Sequence, residues 1–94
     1  MKKMEHKEQT VPTWFKEYQV YEKGGIVTNP WSKRSYELNA LELSIYDMII
    51  GLNEIIQYHG GPLNPETGMF QSEMAKGLDW FRQHNPDAYM VLLD

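Results

Sequence analysis

The sequence predicts a small α+β protein that is mostly α: two main antiparallel helices, a short β-hairpin and a short terminal element. Three observations carry that prediction. A capped run of helical period spans residues 40–59, and a second amphipathic run spans 70–83. Between residues 26 and 38 a β-branched triplet is followed by an Asn-Pro turn and a returning segment.

The chain has 94 residues, which is one domain. Residues 1–10 are polar and charged without a period and read as a mobile tail, leaving 11–94 as the globular domain. "TWFKEYQVYEKGG" comes next. Trp14, Tyr18 and Tyr21 fall at i, i+4 and i+7, with Thr13 as N-cap and Gly24 as the residue after the helix. This favours a helix over 14–23. The strand-forming "EYQVY" keeps a strand from Tyr18 as the alternative. Ile26-Val27-Thr28, the Asn29-Pro30 turn and Ser35 to Leu38 then form the hairpin.

The first main helix has the clearest start. Asn39 is the N-cap and Glu42, three residues on, completes a capping box, with Leu38 and Leu43 placed for a hydrophobic staple. Gly60 and Pro62 end it, which gives a helix over 40–59. After a second Asn-Pro turn at Asn64-Pro65, residues Phe70, Met74, Leu78 and Phe81 mark one face of the next helix. Gly77 in its middle points to close packing against another element. Asn85, Pro86 and Asp87 start one or two further helical turns, with a strand over 87–93 as the alternative.

On a helical wheel the first helix has two apolar sides. Leu41, Ile45, Met48, Ile49, Leu52, Ile55 and Ile56 make a core face of roughly 120°. Leu43, Tyr46 and Ile50 form a second stripe. Either other parts of the chain cover that stripe, or it meets its copy in a homo-oligomer. Trp80 lies about 100° from the core stripe of its own helix, so it is a groove wall or an exposed anchor. Trp31 and Tyr89 also need cover.

The composition narrows the functions. There is no cysteine, hence no disulfide, thiol nucleophile or thiolate metal site. Metal-binding and phosphate-cradling motifs are absent, so no cofactor is expected. Formal net charge is -4, which disfavours nucleic acid, and Lys33-Arg34 is only a local basic spot. No signal sequence and no membrane-length apolar run stand out, so a cytoplasmic protein without a membrane partner is expected. His59 and His84 sit at helix C-termini, where the dipole favours them. Asp47 and Glu54 share a polar strip with Ser44 and Gly51, the one arrangement open to acid–base or metal chemistry.

The order "GGIVTNPWS…YELNALELSIYD", a Gly/Pro loop, then "KGLDWFRQHNPDAYMVLLD" resembles small proteins of unknown function carried by tailed bacteriophages, including those of marine cyanobacteria. The resemblance covers most of residues 24–94. It implies an infected bacterial cytoplasm or a minor virion part, and it brings no activity, cofactor or site.

The reading these observations favour is a non-enzymatic protein–protein interaction module that self-associates or binds a protein partner. Leu43, Tyr46, Ile50 and Trp80 are its expected anchors. One alternative is a small enzyme or ligand- or metal-binding protein using the Asp47/Glu54 strip. Another is an acidic inhibitor or nucleic-acid mimic acting on a host protein.

Overall fold

The computed structural model describes residues 9–15 and 18–94. Two strands, β1 (Gly25–Thr28) and β2 (Ser35–Leu38), lead into helix α1 (Ala40–Tyr58). A 3-10 turn (Pro65–Thr67) precedes α2 (Gly68–His84), and the chain closes with α3 (Pro86–Ala88) and a π-helical turn (Tyr89–Leu93). This is the small, mostly helical α+β fold with one hairpin.

The hairpin is antiparallel, with Gly25 opposite Leu38 and Thr28 opposite Ser35. The Asn29 carboxamide closes its turn. Its Oδ1 accepts from the backbone N–H of Trp31 at 2.9 Å and of Ser32 at 3.2 Å. Its Nδ2 donates to the Val91 carbonyl at 3.0 Å, which ties the turn to the C-terminal element. Alternation sets the faces: Val27, Tyr36 and Leu38 turn inward, while Ile26 and Thr28 turn outward.

α1 starts as the sequence predicts. The Asn39 side chain accepts from the Glu42 N–H at 2.8 Å, and the Glu42 carboxylate accepts from the Asn39 N–H at 2.8 Å. It stops where Gly60 and Gly61 adopt positive φ (98° and 93°) and the Gly61 N–H reaches back to the Ile56 carbonyl. The two helices run antiparallel: Asn85, beyond the end of α2, bonds Glu42 near the start of α1, and Gly77 lies against Met48 and Ile49. A Cβ at Gly77 would come within 2.7 Å of Ile49 Cγ1 and 2.8 Å of Met48 Cε, so this glycine does serve close packing. Gly51, also inside a helix, is different: a Cβ there would have nothing within 4 Å. Gly51→Ala should therefore raise stability by about 0.5–1 kcal/mol, measurable as a higher denaturant midpoint at unchanged slope.

The core joins Phe15, Leu38, Ile45, Met48, Ile49, Leu52, Trp80, Phe81, Ala88 and Leu92. Ile55, placed on the core face by the wheel, lies at its edge and is 39% exposed.

The N-terminal third departs from expectation. No helix spans 14–23. Thr13–Phe15 form one 3-10 turn, Lys16 and Glu17 lie outside the described residues, and Tyr18 to Gly24 are irregular. The reason lies in what the segment covers. Phe15 enters the core and stacks on Tyr18 with ring centroids 5.1 Å apart. The Tyr21 N–H donates to Ser44 Oγ on α1 at 2.8 Å. These contacts fall on neighbouring residues of an open chain, and they override the helical spacing of the aromatics. Gly24 accordingly is not a helix stop. A Cβ there would overlap the Leu38 carbonyl oxygen, so the glycine lets two backbones touch at the entry to α1. Gln9, expected in the tail, is half-buried and bonded to Glu42 and Asn39, at 2.7 and 2.9 Å. Residues 1–8 of that tail lie outside the described residues.

Candidate interaction surface

The second stripe of α1 is divided. Leu43 and Tyr46 are half-buried and pack against the core. Segment 18–25 runs beside them: Tyr21 bonds Ser44, and Gly25 lies near Leu43. Ile50, one turn further on, is half-buried outside the core cluster. The chain thus supplies cover for the first two turns of the stripe from within.

Trp80 is a wall rather than an exposed anchor, with 5% of its surface accessible. Its indole packs edge-on against Phe81 at 5.2 Å and stacks on His84 at 4.8 Å. It borders a cleft of about 390 Å³ between α2 and the N-terminal segment, shared with Trp14, Lys76, Asp79 and His84. Arg82, close to Trp80 in sequence, turns away to Asp79 at 2.9 Å and to the Tyr89 hydroxyl at 2.9 Å. Its guanidinium lies 4.7 Å from the Tyr89 ring centre.

The polar strip of α1 is occupied by structure. Ser44 is buried and donates to the Ala40 carbonyl at 2.7 Å. Asp47 accepts from the Tyr21 hydroxyl at 2.6 Å, and Glu54 is exposed two turns away. Among the described residues no three His, Asp or Glu side chains gather as metal ligands. His59 caps the end of α1, exposed, with its ring edge-on to Tyr58 at 5.3 Å.

Three phenols are held protonated more firmly than usual. The hydrogen bond to Asp47, then its charge, raises the pKa of Tyr21; burial first raises those of Tyr36 and Tyr46. The sign follows directly. Groups whose pKa is raised in the fold contribute stability that is complete below their ordinary value of 10.0 and is lost as pH climbs through the raised values. The thermal midpoint should therefore fall as pH rises above 10.0. A midpoint unchanged there would contradict the three contacts.

A buried polar cluster that no sequence motif announces sits where the elements meet. Glu42 is 5% exposed, and its Oε2 accepts from Asn85 Nδ2 at 2.8 Å and Gln9 Nε2 at 2.7 Å. Asn85 Oδ1 in turn accepts from the Ala88 N–H at 3.1 Å and the Tyr36 hydroxyl at 3.3 Å. The cluster latches the N-terminal segment, β2, α1 and α3 together. Its groups are mutually satisfied, which marks a structural role.

Large apolar side chains stand in solvent at several places, Ile26 and Met90 among them, and most openly at two. Trp31, on the hairpin turn, is 88% exposed, and Leu63, between α1 and α2, is 95% exposed. Tyr58 and Met69 flank Leu63 in sequence and are exposed as well. The sequence marks Trp31 by its need for cover, but it does not mark Leu63. The only signal there is a lone apolar residue between Pro62 and Asn64-Pro65. Both sit on ordered backbone. The Leu63 connection is closed by bonds from Asn64 Nδ2 to the His59 carbonyl at 2.6 Å and from Gln71 Nε2 to the Pro62 carbonyl at 2.9 Å.

No helix among the described residues is long and apolar enough to cross a membrane. Comparison with protein-family models, curated proteins and solved structures returns no match.

Proposed function

We propose that the chain is a non-enzymatic protein–protein interaction module, an accessory protein of the kind tailed bacteriophages carry. The observation supporting this is the pair of exposed anchors, Trp31 and Leu63, each on a backbone fixed by side-chain hydrogen bonds. A side chain on backbone that is already fixed spares that backbone's ordering entropy on docking, and Trp is among the residues that dominate binding energies. Leaving them in water gives the isolated fold nothing. The anchors proposed from sequence thus shift: Trp31 and Leu63 take the leading place, and of Leu43, Tyr46, Ile50 and Trp80 only Ile50 stands outside the core cluster.

In-cell photo-crosslinking tests the reading. A benzophenone amino acid is placed at position 31 or 63, and at position 19, an exposed polar site, as control. Discrete higher-mass adducts from 31 and 63, and none from 19, are expected. Only monomer-mass product from all three sites would contradict it.

A further inference from the structure

We infer that the partner is a second copy of the chain, docked head to tail: the Trp31 hairpin turn of one copy against the Leu63 connection of the next. This rests on the interaction reading above. The distribution of charge carries it. Between Arg34 and Lys76 the sequence holds no Lys or Arg, yet it holds Glu37, Glu42, Asp47, Glu54, Glu66 and Glu73. Three of these carboxylates have partners: Glu42 in the buried cluster, Asp47 with Tyr21, and Glu73 with Lys76 at 2.9 Å. Glu37, on β2, and Glu54 and Glu66, near Tyr58 and Leu63 in sequence, are exposed and make no ion pair among the described residues.

The hairpin turn has the opposite character. Residues 29–36 carry Lys33 and Arg34 and no acidic residue. Both cations are exposed, and neither forms an ion pair among the described residues, although the chain has an acidic excess. Lys33 also holds φ at 65°, a position where glycine or asparagine is the easier choice. One element thus presents an indole beside two unmatched cations. The other presents exposed Leu63, with exposed Tyr58 and Met69 and the unmatched carboxylates of Glu54 and Glu66 within nine residues of it in sequence. Charge of opposite sign on the two apolar patches favours their mutual docking and disfavours docking of either on itself. Because the patches differ, the contact is heterologous, and each added copy leaves one patch of each kind open, building a chain or closing a ring.

Sedimentation equilibrium of the full chain tests this. At low salt the weight-average mass should rise above the monomer's 11.1 kDa as concentration approaches about 1 mM, and fall back in about 0.5 M salt. Trp31→Ala should weaken association about tenfold or more. Lys33→Glu/Arg34→Glu and Glu54→Lys/Glu66→Lys should each stay monomeric alone and associate when mixed, since mixing restores attraction between the altered patches. Circular dichroism confirms that each variant is folded. A wild type that stays at monomer mass throughout, or charge variants that associate as well as the wild type, would overturn the inference. So would crosslinked adducts from 31 and 63 that contain only other proteins, an outcome that leaves the interaction reading standing.

Discussion

Gly24→Ala should destabilise the protein by about 3 kcal/mol and lower the thermal midpoint by about 15 °C. The added methyl would overlap the Leu38 carbonyl oxygen and crowd Cα and C of Asn39 at 2.7 and 2.8 Å. These are backbone atoms at the capped start of α1, so no rotamer change relieves the clash. The segment 18–24 must lift instead. That breaks the Tyr21 bonds to Ser44 and Asp47. The neighbouring glycine provides the control. A Cβ at Gly25 would meet only Leu43 Cδ2 at 3.6 Å, an ordinary contact, so Gly25→Ala should stay within about 0.5 kcal/mol of wild type. Equal effects at the two positions in denaturant unfolding would contradict the close approach of the N-terminal segment to α1.

Glu42→Ala should cost about as much, roughly 3 kcal/mol. It removes both halves of a junction. The Asn39 N–H loses its capping acceptor, and the amides of Asn85 and Gln9 lose theirs in a site closed to water. Leaving buried donors unmatched is worse than never having buried them. Glu42→Gln should fall between alanine and wild type. Its oxygen can serve one pair of donors, while its amide nitrogen faces donors that it cannot satisfy. Denaturant midpoints for the three proteins give the ranking. If Glu42→Gln matched wild type, the carboxylate would not be the hub described.

Much of the fold was legible because its signals are local. The Asn39–Glu42 box, the Gly60 stop and the Asn29 and Asn85 turns are each set by residues within four positions of one another, and the structure contains all of them. Gly77 was legible as well, because a glycine inside a helix has few explanations besides close packing. The segment 14–23 was not. Trp14, Tyr18 and Tyr21 have helical spacing, but the partners that hold the chain open, Ser44, Asp47 and the core around Phe15, are distant in sequence. Gly24 misleads for the same reason, since its close neighbour Leu38 lies fourteen residues on, in β2.

The candidate surface was legible only in part. The wheel of α1 exposed a real second stripe, but a wheel does not show that segment 18–25 lies beside Leu43 and Tyr46. Trp80 looks off-face because α2 is covered on two sides, by α1 and by the N-terminal segment across the cleft. Trp31 and Leu63 belong to turns, where no periodicity marks a side chain as inside or outside, and only their three-dimensional surroundings show them uncovered.

If Trp31 and Leu63 serve a contact outside the chain, the fold does not need them. The thermal midpoint of a Trp31→Ser/Leu63→Ser variant decides this. A midpoint within about 2 °C of wild type is expected, because both side chains are already in water. A fall of about 15 °C, the size expected for Glu42→Ala, would show that the fold itself depends on them and would contradict their role as anchors for a partner.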